Sequence, residues 1–138
     1  MIQDLLLDTH VFIWLMNGEE TLSHETRTLI KNTCKQHCLL AASISVWEIA
    51  MLQSKGKISL ITPLQQWLKK IDSLPYIKIL PLTAEIALES CELPGEFQGD
   101  PADRMLVATA RILDMPLMTR DQKIESYGQK GYVKVLAC

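Results

Sequence analysis

Few of the patterns that announce a secreted, membrane-embedded or nucleotide-cradling protein occur in this chain. Its four cysteines, Cys34, Cys38, Cys91 and Cys138, are too few and too irregularly spaced for a disulfide framework. The opening stretch MIQDLLLDTHVFIWLMNG has no basic leader, and Asp4 and Asp8 interrupt it well short of the roughly 18 apolar residues a membrane helix needs. A cytoplasmic protein with reduced thiols and no membrane partner is expected. The run 34-CKQHC-38 brings Cys34, His37 and Cys38 together, but a structural zinc site wants four ligands and no second pair exists.

Positive charge is equally scarce. A net charge of −2 and a pI near 5.9 exclude a protein that coats nucleic acid broadly, because such binding draws on many neutralised phosphates. Any contact with nucleic acid must be local. Arg27, Lys31 and Lys35 fall at i, i+4 and i+8 of a predicted helix from Ser23 to Gln36, either as a solvated face or as a short phosphate-contacting row. No G-x-x-x-x-G-K-[ST], G-x-G-x-x-G or G-x-S-x-G occurs, which removes the usual nucleotide-cradle and serine-hydrolase readings. Linkers, repeats and low-complexity tracts are also missing. With 48% hydrophobic and 22% charged residues, the chain reads as one domain over 1–138 with a single core.

What is present is an alternation of short apolar runs and helical patterns. Strands are expected at 2-IQDLLL-7, 38-CLLAA-42, 77-IKILPL-82, 116-PLMT-119 and 132-YVKVLA-137. Helices are expected from Asp8 to Asn17–Gly18, from Ser23, from Ser43 or Ser45 to near Gly56, over 63–71, from Thr83 to about Cys91, and before each of the last two strands. Such alternation implies parallel βαβ units and hence an α/β/α sandwich with a mainly parallel central sheet.

Ligands in open α/β sheets gather outside the carboxyl ends of the strands, so acids at those ends matter most. Asp8 follows the first strand, Asp121 follows 116-PLMTR, and Glu48 and Asp103 lie near helix N-termini that face the same edge. Each has a structural reading. Asp100 before Pro101 is a sound N-cap with Asp103 as the reciprocal arm of a capping box, while Asp8 and Asp121 suit the caps of following helices and Glu48 the positive end of its own. Brought together, however, the four carboxylates would repel unless a cation neutralised them, and a hard divalent ion such as Mg²⁺ or Mn²⁺ needs only a few oxygen ligands. His10, within the apolar run around 11-VFIWLM-16, is read as a structural histidine rather than a ligand.

The segments 5-LLLDTHVFIWL-15, 43-SISVWEIAMLQSKGKI-58, 99-GDPADRMLVATA-110 and 117-LMTRD-121 resemble the successive motifs of PIN-domain ribonucleases, most closely the VapC-type toxins of bacterial toxin–antitoxin pairs. The resemblance covers essentially the whole chain. It implies a Rossmann-like sheet and a Mg²⁺- or Mn²⁺-dependent ribonuclease site falling on Asp8, Glu48, Asp103 and Asp121, with Asp100 as an additional acid. Thr9 and Thr119 are then candidates to hold neighbouring acids, and Arg104 and Arg120 to reach the scissile phosphate or pair with the acids. Many relatives carry histidine where Gln98 stands, which leaves that position without an inherited role.

The resemblance further implies an RNA substrate, a homodimer and a small antitoxin whose helix fills an apolar groove. Residues 11-VFIWLM-16 with Trp47, Met51 and Leu52 supply such a groove or else belong to the core. Two rival classes remain. One is a PIN-like binding protein without catalysis. The other is a haloacid dehalogenase-type phosphatase, which expects a second aspartate two residues after the first, where this chain has His10.

Overall fold

The computed structural model describes residues 3–18 and 21–138; Ile2, the first residue of the predicted N-terminal strand, lies outside them. Five short strands, β1 (Leu5–Leu7), β2 (Leu39–Ala42), β3 (Ile77–Leu80), β4 (Leu117–Thr119) and β5 (Val135–Ala137), form one parallel sheet in the order β3-β2-β1-β4-β5. Between them run α1 (Thr9–Asn17), α2 (His24–Gln36), α3 (Ser43–Ser54), α4 (Leu64–Asp72), α5 (Ala84–Cys91), α6 (Pro101–Leu113) and α7 (Gln122–Gln129).

Side chains alternate across a strand, so a central strand covered on both faces must be apolar throughout. That is the case for LLL of β1. Leu5 and Leu7 join Leu39, Ala41 and Met118 on one face, packed by Val11 and Phe12 of α1, Ile30 of α2, Ile49 of α3 and Ile71 of α4. Leu6 joins Leu40, Ala42 and Leu117 on the other, packed by Ile86 of α5, Leu106 and Val107 of α6 and Ile124 and Tyr127 of α7. Three layers result, as the alternation of runs predicts. Most of 11-VFIWLM-16 is spent on this core, with Val11, Phe12, Ile13 and Met16 all buried.

The helix starts are set by short polar side chains. Ser23 accepts the Thr26 N–H and Thr83 the Ile86 N–H, each at 3.1 Å. Helix α3 departs from the expected serine cap: Ala42 occupies the cap position without a side-chain bond. Ser43 instead donates to the Leu80 carbonyl at 2.7 Å and ties α3 to the end of β3. Strands β3 and β5 are shorter than predicted, since Pro81 cannot donate to a ladder and Tyr132–Lys134 form the approach to β5.

The chain builds β1, β2 and β3 outward in one direction, then returns past β1 to lay down β4 and β5 on its other side. The direction reverses between β1 and β4, and helices leave their carboxyl ends toward opposite faces. A crevice must open there.

Candidate active site

Asp8 leaves β1 and Asp121 follows β4, so both flank that crevice. A cavity of about 380 Å³ lies at this point, lined by Asp8, Glu48, Asp100, Asp103 and Asp121 together with His10, Val11, Trp14 and Arg120. The four acids singled out from the sequence, and the fifth at Asp100, therefore share one space.

Asp8 is only 7% exposed, and its two carboxylate oxygens are held separately. Oδ1 accepts the Thr9 N–H at 2.6 Å and Oδ2 accepts the Thr119 hydroxyl. Burial raises the Asp8 pKa above the ordinary aspartate value and nearby Asp121 adds to the rise, while these hydrogen bonds and His10 oppose it. Thr119, fully buried, also accepts the Asp121 N–H at 3.0 Å, and Asp121 in turn caps α7 through the Ile124 N–H at 3.0 Å. The Thr9 hydroxyl does not hold an acid; it donates to buried Ser45 of α3 at 2.9 Å, fixing α1 to the helix that carries Glu48.

Asp100 caps α6 as its place before Pro101 predicts, accepting the Asp103 N–H at 2.8 Å. Among the described residues no hydrogen bond to the Asp103 carboxylate closes a reciprocal box. That carboxylate faces the other acids, and its pKa is pushed up to about 7, first by burial and then by Asp100, Asp121, Asp8 and Glu48. Five carboxylates crowding one partly dry space present a net negative field that a cation relieves.

Among the described residues no three His, Cys, Asp or Glu side chains converge tightly enough to hold an ion between them. A cavity to which five carboxylates contribute fits a hard divalent ion that keeps several waters and takes few protein ligands. Cys34 and Cys38 of 34-CKQHC-38 are both free thiols.

The remaining candidates fall in different places. Arg104 does not reach the cavity or its acids: its guanidinium bonds the Ser90 carbonyl at 2.8 Å and the Phe97 carbonyl, because a residue next to Asp103 on a helix is turned about 100° away. His10, read as structural, is an exposed residue on the cavity wall. Gln98 lines a separate hollow with Phe97, Lys123 and Lys130. Sequence reasoning also missed Ser45 and Trp14. Spacing held the signal in both cases, since Ser45 lies three residues before Glu48 and Trp14 four after His10, placing each pair on one helical stripe. Arg27, Lys31 and Lys35 are exposed on α2 and take no part in the cavity.

The chain is similar to several characterised proteins. It is 32% identical over 123 residues to Ribonuclease VapC22 of Mycobacterium tuberculosis, covering 89% of this chain and 91% of that one. Its fold is similar to a chain of VapBC2 from Rickettsia felis bound to a promoter DNA fragment, with a TM-score of 0.68 at 17% identity over 98% of each chain. A toxin-antitoxin complex from Klebsiella pneumoniae contains another such chain, with a TM-score of 0.58 at 22% identity over 86% of this chain and 88% of that one. Residues 5–130 match the PIN domain model, from β1, which delivers Asp8, to just beyond α7, which Asp121 caps, so that the acid-lined crevice sits within the match and the chain belongs to the PIN domain family.

Proposed function

We propose that this protein is a divalent-metal-dependent endoribonuclease that acts in the cytoplasm as the toxin of a type II toxin–antitoxin pair. Asp8, Glu48, Asp103 and Asp121 are its catalytic, metal-holding acids, with Asp100 beside them. The observation that carries this reading is the joint placement of five carboxylates around one cavity, crowded enough to push Asp103 up to about 7. The ribonuclease activity named for VapC22 and the toxin–antitoxin assembly named for the Klebsiella complex support it.

Bound Mg²⁺ or Mn²⁺ would supply charge neutralisation at the phosphodiester and Lewis-acid activation of the attacking water. The chain's own residues set the stage. Thr119 and the Thr9 N–H fix both oxygens of Asp8, and Thr119 keeps Asp121 in register with it. The Thr9–Ser45 bond holds the Glu48 helix against α1. No helix among the described residues is long and apolar enough to cross a membrane. The haloacid dehalogenase-type alternative is set aside because the chain belongs to a different family.

The partners that follow are RNA as substrate, a cognate antitoxin and a second copy of the chain. Of the apolar residues considered for a groove, Trp47 on α3 is exposed where most of those of α1 are buried, and it is free to meet a protein partner. The test is cleavage of single-stranded RNA by purified protein in Mg²⁺, in Mn²⁺ and in chelator. Cleavage should require the metal and return on its readdition. Cleavage that persists in chelator removes the metal-dependent reading, and a folded, metal-supplied protein that cleaves no RNA leaves the binding-protein reading in its place.

A further inference from the structure

The cavity has two unlike walls. One is made of carboxylates. The other is made of His10 and Trp14, one turn apart on α1, and of Arg120, whose guanidinium lies 4.6 Å over the Trp14 ring. The His10 and Trp14 ring centroids are 6.2 Å apart and tilted by 50°, so the histidine flanks the indole without covering it. Trp14 is only partly buried, packed against the core cluster of α1, and His10 and Arg120 are exposed.

Arg120 is next in sequence to Asp121, yet it pairs with none of the five acids. Its Nε donates to the Cys138 main-chain oxygen at 2.9 Å and a terminal nitrogen to the Thr21 carbonyl at 3.0 Å. These bonds hold the guanidinium in place against the indole. A fixed planar cation backed by an indole, at the rim of a site whose far wall repels phosphate, fits a particular ligand. That ligand is an unpaired nucleobase, with its attached phosphate drawn toward the cation.

We propose that Trp14, Arg120 and His10 form a base-stacking subsite that receives a nucleobase flanking the scissile phosphate. This inference rests on the ribonuclease reading. A chain with net charge −2 cannot hold RNA by general attraction. The binding energy needed beside the acids comes instead from stacking, which is indifferent to sequence because every base has a flat face. A base inside a duplex has both faces covered and is refused.

The test compares oligoribonucleotides that differ only by removal of one base at successive positions, cleaved in Mn²⁺ by the unmodified protein. Removing the base that occupies the subsite should raise KM about tenfold while kcat changes little. The same substrate set is then given to Trp14→Leu, Trp14→Phe and Arg120→Gln. Trp14→Leu should raise KM for intact RNA by a similar factor and should no longer distinguish the abasic substrate. Trp14→Phe should keep most of the distinction, and Arg120→Gln should lose part of it. If the unmodified protein cleaves RNA but no single base removal raises KM, or cleaves a duplex as readily as its single strand, the subsite is wrong and the ribonuclease reading stands. If it cleaves no RNA, both fall together. Should Trp14→Leu fail to fold, the abasic series on the unmodified protein still decides.

Discussion

Asp8 and Thr119 lie 111 positions apart in the chain and are joined hydroxyl to carboxylate at the carboxyl ends of neighbouring strands β1 and β4. The same hydroxyl accepts the Asp121 N–H, so one buried threonine sets the spacing of two acids. Thr119→Val keeps the shape and removes both bonds, leaving one oxygen of the buried Asp8 carboxylate and the Asp121 N–H without this partner. We expect a loss of about 1–3 kcal/mol in denaturant unfolding and a fall in cleavage beyond what the residual folded fraction explains. Thr119→Ser should recover most of both. A valine variant as stable and as active as the original protein would show that the bond positions nothing.

The acids of α6 separate by role. Asp100→Asn retains the N-cap, since asparagine caps nearly as well as aspartate, and should leave unfolding within about 0.5 kcal/mol of the original. Asp103→Asn is nearly isosteric but removes charge from the proposed ion site, and cleavage should drop at least about tenfold. A folded Asp103→Asn protein that cleaves RNA undiminished would limit 100-DPAD-103 to starting a helix.

Stability of the metal-free protein should depend on pH with a definite sign. The Asp103 carboxyl has a folded pKa of about 7 against an ordinary 3.8, so the folded state binds the proton more tightly than the unfolded chain. Between those values the folded form keeps a proton that the unfolded form has lost. Stability therefore falls as pH rises through this window and levels off above it. Melting temperatures measured from pH 4 to pH 8 should show this decline, Asp103→Asn should reduce it while the raised Asp8 carboxyl keeps a remainder of the same sign, and added Mg²⁺ should raise the melting temperature more at pH 8 than at pH 6. A decline unchanged in Asp103→Asn would assign it to other groups.

Trp47 is 56% exposed on α3, so a charged replacement there should not disturb folding. Trp47→Glu is expected to unfold within about 0.5 kcal/mol of the original protein. Its association with the antitoxin should weaken by a few kcal/mol, as measured by calorimetry, if the indole is an anchor of that interface. Unchanged affinity would move the interface to another face.

Much of this was legible in the chain because strands and acids obey local rules. Apolar runs of strand length separated by capped helices specify a parallel sheet, and an aspartate directly after such a run must stand at its carboxyl end, as Asp8 does. The N-caps at Ser23, Thr83 and Asp100 were equally plain, each being a short polar side chain ahead of a helical pattern. Rotation about a helix axis was not legible. Whether His10 faces the core or the crevice depends on how α1 rolls on the sheet, and that is fixed by Val11, Phe12 and Ile13 together with the Thr9–Ser45 bond. Arg104 was misplaced for the same reason, since its neighbour Asp103 takes the crevice and turns it toward the Ser90 and Phe97 carbonyls. Ser43 deceived through chemistry rather than rotation, because its hydroxyl found the Leu80 carbonyl before it could cap its own helix.

The pairing of β1 with β4 also sets a clock on synthesis. The first strand emerges from the ribosome early and waits unpaired on that side while β2 and β3 are made, and its partner arrives only with Leu117–Thr119. Long-range pairings of this kind form late because the intervening chain must be closed first. A nascent chain thus carries Asp8 and Glu48 without Asp121 or Thr119, and the acid crevice assembles only once β4 has been made.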